Sequence, residues 1–241
     1  MNGLFQSIQD NVLFVVEFMG IIVLMTIIAY AAEKCIRKKN SETGRILSTG
    51  KIAVIGMFSA IAAILHILDF PVPFAPFFYK LDFSELPALI GTFAYGPVAG
   101  VMIEFCKIIL KLLFKNTSTA FVGEMANFVI GCSFLVPASI IYMLRKNKKT
   151  AVIACAVGTL CMTIFGSAFN AVYLLPAFSK LYGMPLEQIV EIGTAINPAI
   201  KDTITLVILA VAPLNLLKGA SVSLITMLVY KKLSPILKKA V

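Results

Sequence analysis

The chain of 241 residues is strongly apolar, with 59% hydrophobic and 14% charged residues. In soluble domains about a quarter of the residues are charged, and several apolar runs here reach the roughly 20 residues that cross a bilayer. The composition therefore predicts an all-α polytopic membrane protein surrounded by a lipid bilayer. The net charge of +9 does not predict a nucleic-acid partner, because the basic residues cluster at the ends of apolar runs, as topology signals do.

Metal and nucleotide sites are not expected. The five cysteines show no CxxC pair and no metal-ligand spacing, and His66 is the only histidine, so we expect no disulfide, no metal site and no cofactor. The segment Gly44–Lys51 resembles a phosphate-binding loop, but five residues separate its two glycines and Ile52 follows where Ser or Thr should bind magnesium. No catalytic set is recognisable elsewhere in the sequence.

The first apolar run, residues 11–32, predicts a retained membrane helix. It is too long for a signal peptide, lacks Lys or Arg in front of it and is followed by EKCIRKK. Further spans are expected at 51–69, 84–95, 97–115, 119–144 and 150–176, with the tight turn Tyr95-Gly96-Pro97 between two of them. The region 199–230 is too long for one span and too short for two, and we expect Pro213 to divide it.

Three basic clusters determine the predicted topology: Lys34 to Lys51, Arg145 to Lys149, and the C-terminal lysines from Lys231 to Lys239. All three face the cytoplasm only if a single span follows Pro213 and residues 177–212 stay outside or re-entrant. The prediction is one extra N-terminal helix (residues 1–40) followed by a six-helix unit (residues 51–241). The N-terminus would lie outside and the C-terminus in the cytoplasm.

Five polar residues fall at one depth under this topology, in the outer half of the membrane: Glu124, Asn127, Asn170, Asn215 and Lys218. A charge at mid-bilayer costs about 2.5–3.5 kcal/mol on insertion scales, so such groups usually line a cavity. A single Asn often serves only as a hydrogen-bonding contact between helices. The convergence of several favours a site for an uncharged ligand with several donors and acceptors.

The segment 70–91, FPVPFAPFFYKLDFSELPALIG, predicts a stiff extended lid over that site. Its prolines restrict the backbone. Its aromatic residues are Phe74, Phe77, Phe78, Tyr79 and Phe83. They fit either an interfacial aromatic belt or a stacking surface for a flat aromatic ligand.

Several charged residues have two interpretations at this stage. Asp82 and Glu85 are either solvated loop carboxylates or functional, and Asp202 is expected to be solvated. Glu104 and Lys107 fit an intrahelical pair, and Lys107 alternatively belongs to the polar wall of the cavity. Glu17, inside the first helix, is expected to make an interhelical contact.

Residues 51–241 resemble the riboflavin type of the substrate-binding S-components of energy-coupling factor vitamin transporters. The matching stretches are FPVPFAPFFYKLDFSELPALIGTFAYGPVAG, ANFVIG, FNAVYLLP and PLNLLKG. The resemblance implies a six-helix fold in a bacterial cell membrane, with riboflavin as the transported ligand near the outer surface. It implies Asn170, Asn215 and Lys218 as residues that bind the flavin ring. The full set of substrate-binding candidates is Tyr79, Leu81, Asp82, Phe83, Glu124, Asn127, Asn170, Tyr173, Asn215 and Lys218.

The resemblance also implies partners, namely a transmembrane coupling protein with two cytosolic ATPase subunits. In the family, small residues on the first of the six helices meet the coupling protein. Gly56-x-x-x-Ala60 and Ser59-x-x-x-Ala63 have the spacing for close approach, although packing within the protein explains them equally well.

Other functions remain open from the residues alone. Another vitamin is an alternative ligand, and so is FMN, because Lys80, Lys111 and Lys115 near the outer mouth fit its phosphate. A membrane-embedded transferase would need an acidic or metal-binding cluster on the cytosolic side, and none is visible in the sequence. A purely structural subunit would not explain polar groups that converge in one leaflet.

Overall fold

The computed structural model describes residues 11–117 and 119–239. Residues 1–10 of the predicted N-terminal region and the C-terminal Val241 lie outside the described residues. The described chain is all-α apart from one two-stranded pairing, which confirms the predicted fold class. The helices are α1 (Val12–Lys39), α2 (Thr49–Ile67), α3 (Glu85–Tyr95), α4 (Pro97–Phe114), α5 (Val122–Leu144), α6 (Lys148–Tyr182), α7 (Leu186–Ile196) and α8 (Thr203–Leu206, Val207–Val211 and Ala212–Lys239 in succession). In this part of the chain, α1, α2, α5, α6 and α8 are long and apolar enough to span a membrane.

The lid loop lies between α2 and α3 and is closed at its base by the short strands β1 (Phe70–Pro71) and β2 (Lys80–Leu81). The strands pair antiparallel, with Phe70 opposite Leu81. The sequence predicts an extended lid, and the structure shows a hairpin-like loop whose two ends are fixed to each other. The residues between the strands are therefore held over one end of the helical bundle.

The predicted tight turn between α3 and α4 is confirmed at Gly96. Its φ of 102° lies in the region that favours glycine, and Pro97 follows as the first residue of α4, where its missing N–H costs no hydrogen bond. The Glu33 side chain of α1 lies against this turn and accepts a hydrogen bond from the Val98 backbone N–H at 3.1 Å. The N-terminus of α4 is thus capped by a carboxylate from α1.

The prediction that Pro213 divides the last region is wrong. The last helix begins at Thr203, ten residues earlier, and continues through Pro213. A π-helical turn, Val207–Val211, immediately precedes the proline, and the Ala212 N–H donates to the Val207 carbonyl across five residues. Proline lacks an N–H and clashes with the carbonyl four residues before it, and a wider turn relieves both problems. The same device recurs in α6, where the π-helical turn Asn170–Leu174 precedes Pro176.

Residues 177–212, expected as an outer or re-entrant segment, are largely helical. The α6 helix continues to Tyr182, α7 covers Leu186–Ile196, and α8 has already completed two turns by Val211. Ile189 and Ile200 are buried with Leu206, so this segment packs onto the bundle and forms part of the same apolar core.

The first two basic clusters lie at one end of the bundle. The Lys146 ammonium is 3.3 Å from the Glu42 carboxylate, and the Asn40 side chain donates to the Met143 carbonyl at 3.1 Å. Tyr230, which precedes the third cluster, reaches the same end, because its hydroxyl is 3.4 Å from that of Tyr142 on α5. The side chains of the third cluster lie outside the described residues.

The α1 helix packs against α4 and α5. Phe18, Ile22 and Ala29 are buried in an apolar cluster with residues of those two helices. The Tyr173 hydroxyl on α6 donates a hydrogen bond to Glu17, so the expected interhelical contact of Glu17 is confirmed. Contacts at both ends therefore attach α1 to the rest of the described chain.

Asp202 is the N-cap of α8. Its carboxylate accepts hydrogen bonds from the Thr205 backbone N–H at 2.7 Å and from the Thr205 hydroxyl, which lower the pKa of the exposed carboxyl below its ordinary value. We expect Asp202→Ala to lower the thermal midpoint of unfolding, because it removes a helix cap. Ligand affinity should stay unchanged within about twofold, since Asp202 does not line the cavity described below. A larger loss of affinity than of stability in a titration of the variant would contradict this assignment.

Candidate ligand-binding site

A cavity lies beneath the lid loop, between α5, α6 and α8. From Asn127 to Leu144 at the end of α5 the helix rises about 25 Å, so the cavity is at the end of the bundle opposite the basic clusters. The space between its walls, including the part open to solvent, is about 650 Å³. The lining residues are Phe78, Tyr79, Lys80, Glu85, Gly123, Ala126, Asn127, Ile130, Met162, Asn170, Leu174, Phe178, Val211, Leu214, Asn215 and Lys218.

Two buried amide atoms in the cavity wall have neither a hydrogen-bond nor an ion-pair partner among the described residues. They are the side-chain nitrogen of Asn215 and the side-chain oxygen of Asn127. An unsatisfied buried polar group costs about 1–3 kcal/mol, so native proteins rarely retain one without a reason. Here one unpaired donor and one unpaired acceptor line the same cavity. The pair suits a ligand that carries both an acceptor and a donor.

Gly166 on α6 makes room for Asn215. A Cβ atom at position 166 would lie 2.7 Å from the Asn215 side-chain nitrogen, which is closer than real Cβ atoms approach a neighbour. Any larger residue would displace the amide from its present position. Gly166 lies one helical turn before Asn170, so α6 contributes two adjacent features to the same wall.

Asn170 connects the lid to the helical bundle. Its side-chain nitrogen donates to the Gly166 carbonyl at 2.7 Å, and its side-chain oxygen accepts from the Tyr79 hydroxyl of the lid at 2.8 Å. Both contacts are buried. The amide is therefore fixed in orientation, with one N–H and one lone pair left for another partner. Asn170 also begins the π-helical turn of α6, and such turns are frequent at functional sites.

Lys218 is buried and held by two carboxylates. Its ammonium lies 3.0 Å from Asp82 and 2.8 Å from Glu85. These contacts occupy two of its three N–H donors, which leaves one for a ligand. Asp82 and Glu85 are only 3% and 1% exposed, so the alternative that they are solvated loop carboxylates is wrong. The network attaches the end of the lid and the start of α3 to α8.

Lys107 extends the same network away from the cavity. Its ammonium contacts Glu104 at 2.6 Å, which confirms the intrahelical pair, and also reaches Glu85 at 3.1 Å and the Ser84 hydroxyl at 2.8 Å. The side chain is fully buried and does not line the cavity. Its position is therefore in the packing between α3 and α4, behind the cavity wall.

The lid contributes aromatic surface to the cavity through Phe78 and Tyr79. The Phe78 ring packs at 5.3 Å from Phe178 on α6 and at 4.7 Å from Tyr79. Phe77, by contrast, points outward and is mostly exposed. Rings from the lid and from α6 thus face the amides of α5 and α8 across one space.

Five predicted site residues, Leu81, Asp82, Phe83, Glu124 and Tyr173, do not line this cavity. Leu81 is buried in the apolar core, and Phe83 packs beside Phe70 with ring centroids 6.3 Å apart. Tyr173 stacks on Phe169 and donates to Glu17. Glu124 contacts Lys111 at the adjacent mouth, which Asp82 and Asn127 also line. A role for these five in ligand binding stays a prediction.

Two lining residues, Glu85 and Phe178, are not among the substrate-binding residues expected from the sequence, although Glu85 had a functional interpretation, and neither is Gly166, which packs behind Asn215. For Glu85 a signal was present, because two lysines within apolar helices, Lys107 and Lys218, require acidic partners. For Gly166 the signal was its position one turn before Asn170. No local pattern distinguishes Phe178 from other apolar residues of α6.

Comparison with known proteins identifies the family. Residues 50–230 match the family model described as the substrate-specific component of an ECF transporter. The riboflavin transporter RibU of Staphylococcus aureus is 35% identical over 84% of this chain and 97% of the relative. The riboflavin transporter FmnP of Bacillus subtilis is 32% identical over 77% of this chain and 92% of the relative.

A solved S component of a bacterial ECF transporter has a similar structure. It superimposes with a TM-score of 0.61 and 36% sequence identity, over 78% of this chain and 97% of that chain. The family match begins at residue 50, so α1 lies outside it. Sequence, structure and the membrane-spanning helices agree, and the chain belongs to the family of substrate-specific components of ECF transporters.

Proposed function

We propose that this chain is the riboflavin-binding subunit of an ECF transporter and delivers the vitamin for ATP-driven uptake. The observation that carries the proposal is the unpaired donor of Asn215 and the unpaired acceptor of Asn127 in one cavity beneath an aromatic lid. The pyrimidine edge of a flavin alternates carbonyl acceptors with an N–H donor, which matches these amides. Two relatives of this chain are named riboflavin transporters.

The lysines at the mouth favour riboflavin over FMN. Lys80 and Lys115 lie 3.4 and 3.5 Å from Asp69, and Lys111 contacts Glu124. Each ammonium therefore already has a carboxylate partner, and the phosphate of FMN would be placed next to two carboxylates. Riboflavin carries no such charge, and its ribityl hydroxyls suit a polar mouth.

A competition experiment tests this proposal. Purified protein is titrated with riboflavin, whose fluorescence is quenched on binding, and the bound flavin is then displaced with FMN and with unrelated vitamins. We expect saturable binding of riboflavin and displacement by FMN only at higher concentration. Tighter binding of FMN, or no binding of either flavin, would contradict the proposal.

The proposed partners are a transmembrane coupling protein and two cytosolic ATPase subunits. On α2, Gly56 and Ala60 face outward, and a Cβ atom at position 56 would meet nothing within 4 Å. Ser59 and Ala63 face inward and are buried. We therefore assign the contact with the coupling protein to Gly56 and Ala60, and withdraw Ser59 and Ala63 because internal packing accounts for them.

Enlarging Ala60 should separate transport from binding. We expect Ala60→Leu to reduce riboflavin uptake strongly, because it prevents close approach of a partner helix. Riboflavin affinity should stay within about twofold, since the cavity is formed by other helices. Ala156→Leu, at an exposed position of α6, is the matched control and should transport normally. Normal uptake by a well-expressed Ala60→Leu variant would remove this face from the proposed interface.

We further propose that the end of the bundle with the basic clusters faces the cytoplasm, so that the cavity opens outward. The support is the accumulation of Lys and Arg at one end, which is the usual cytoplasmic signal. With the five native cysteines replaced by serine, because Cys35 is exposed, a single cysteine introduced at Thr43, in the α1–α2 loop, should react with membrane-impermeant maleimide only after the cells are opened. Labelling of intact cells at this position would reverse the orientation.

A further inference from the structure

A second cavity lies at the end of the bundle far from the ligand site, between the last turns of α1, the loop that follows it and the start of α4. Basic residues Lys34, Arg37, Lys38 and Arg45 line it, with Glu42 as the single acid in its wall. We propose that this pocket binds the phosphodiester headgroup of an anionic phospholipid. The proposal does not depend on the identity of the transported vitamin.

Arg37 gives the pocket a fixed shape. The residue is 9% exposed, and its guanidinium donates to the carbonyls of Gly44 and Arg45 at 3.1 and 3.3 Å. These bonds fold the loop after α1 back onto the helix and position Arg45 in the pocket wall. Glu33 and Glu42 lie 3.8 and 4.0 Å from the same guanidinium. Arg37 is therefore a positioning residue whose charge is already balanced.

Three other cations of the wall have no carboxylate partner. Lys34, Lys38 and Arg45 form no ion pair among the described residues, and Lys34 lies over the Tyr30 ring at 5.9 Å. Glu42, the one acid among the lining residues, is shared between Arg37 and Lys146. Three unpaired positive charges in one concave site attract an anion with several acceptor oxygens, such as a phosphate group.

The surroundings of the pocket indicate a lipid as the source of this phosphate. Ile46, Leu47 and Val98 form an apolar side of the same cavity, next to Tyr30. The outward face of α1 continues from the pocket into the apolar part of the membrane span with exposed side chains such as Ile27. A phospholipid would therefore place its headgroup among the basic side chains and its acyl chains along α1. Basic pockets beside membrane helices bind anionic headgroups in this way.

The test compares lipids on the full-length protein by native mass spectrometry from detergent micelles. Phosphatidylglycerol, phosphatidylcholine with the same acyl chains, and inorganic phosphate are titrated separately. The pocket variant is Lys34→Gln/Lys38→Gln/Arg45→Gln. The matched control is Arg145→Gln/Lys148→Gln/Lys149→Gln, which removes the same charge at the same end of the bundle from residues that do not line the pocket.

We expect wild-type protein and the control variant to bind one phosphatidylglycerol with similar affinity and to prefer it to phosphatidylcholine. The pocket variant should lose roughly 100-fold in affinity, equivalent to about 1 kcal/mol for each of three basic side chains near an anionic lipid. The thermal midpoint of unfolding, measured on the same samples, should be equal in all three and shows that the variants are folded. If the triple variant does not fold, Lys38→Glu alone should lower the affinity for phosphatidylglycerol by about tenfold or more.

Three results would overturn the proposal. Equal losses of affinity for phosphatidylglycerol in the pocket and control variants would show that the lipid is attracted by the overall positive charge and not by this pocket. Equal binding of phosphatidylglycerol and phosphatidylcholine would show that the anionic headgroup is not recognised. Binding of inorganic phosphate as tight as that of phosphatidylglycerol would identify a site for soluble anions.

Discussion

Asn215→Ala is expected to weaken riboflavin binding by roughly 5- to 150-fold. The Asn215 side-chain nitrogen is buried and has no partner among the described residues, and it faces the cavity beneath the lid. If a flavin carbonyl accepts a hydrogen bond from this nitrogen, the substitution leaves that carbonyl unpaired in a desolvated site. The unpaired carbonyl weakens binding by about 1–3 kcal/mol. The measurement is titration by flavin fluorescence quenching on purified variants.

The stability of the same variant distinguishes a ligand contact from a structural one. Because the nitrogen makes no hydrogen bond to any described residue, Asn215→Ala should not lower the unfolding midpoint in the absence of riboflavin. Asn170→Ala should lower it, since that substitution removes the hydrogen bonds to Gly166 and Tyr79, each worth about 0.5–1.5 kcal/mol. Asn147→Ala, a helix cap at the other end of α6, is the control and should lower stability without affecting affinity.

Two outcomes would contradict the assignment of Asn215. One is wild-type affinity in a well-folded Asn215→Ala protein. The other is a loss of stability without riboflavin as large as that of Asn170→Ala, which would make Asn215 a structural residue of the helix interface.

Lys218→Met is expected to destabilise the protein by about 3–5 kcal/mol, in addition to any effect on binding. The substitution retains most of the volume of the side chain but removes the partner of two buried carboxylates, Asp82 and Glu85. Removing one member of a buried ion pair leaves an uncompensated charge, which is the costly part. Glu85 keeps its contact with Lys107 at 3.1 Å, so Asp82 is the residue left without a cation.

A double variant isolates this cause. Asp82→Asn in the Lys218→Met background should recover part of the lost stability, because it removes the unpaired charge and can retain the hydrogen bond from the Ser84 N–H. Lys146→Met is the matched control. Its pair with Glu42 is exposed, and such pairs contribute about 0–1 kcal/mol. The free energies of unfolding are measured by denaturant titration in detergent micelles.

The network prediction fails if Lys218→Met unfolds at the wild-type denaturant concentration. It also fails if the double variant is less stable than Lys218→Met by as much as Asp82→Asn alone destabilises the wild type. In either case the contacts between Lys218 and the lid would contribute little to the fold, and Lys218 would matter only through the ligand.

The polar lining of the cavity was predictable because membrane depth restricts polar residues. The basic clusters predict an orientation for each helix, and this orientation places Asn127, Asn170 and Asn215 at one level. Amides are rare in the apolar part of a membrane unless they contact another polar group or line a cavity. The structure places all three in one cavity wall. Because the bilayer assigns a depth to each residue of a membrane helix, the positions of the three amides in the sequence indicated that they lie at one level.

The partners of the loop carboxylates were not predictable in the same way. Asp82 meets Lys218 across 136 positions of sequence, and no local pattern reports such a contact. Asp82 lies just before the start of α3, where a solvated carboxylate is equally common. Only the packing of α3 against α8 decides between the two interpretations.

Two further differences have local physical causes. Pro213 usually ends a helix, but the π-helical turn before it accommodates the ring and the missing N–H. The pairs Gly56/Ala60 and Ser59/Ala63 have the same spacing and lie on neighbouring faces of α2. Spacing cannot tell which pair faces inward, and only burial shows that it is the second.

The most direct test of the central claim is riboflavin binding to an Asn127→Ala/Asn215→Ala double variant beside the wild type. These residues supply the unpaired acceptor and donor of the cavity, and neither atom has a hydrogen bond to a described residue that its substitution could break. The claim predicts one riboflavin per wild-type chain and a loss of affinity in the folded double variant larger than in either single variant. Binding of riboflavin to the double variant with wild-type affinity and stoichiometry would contradict it.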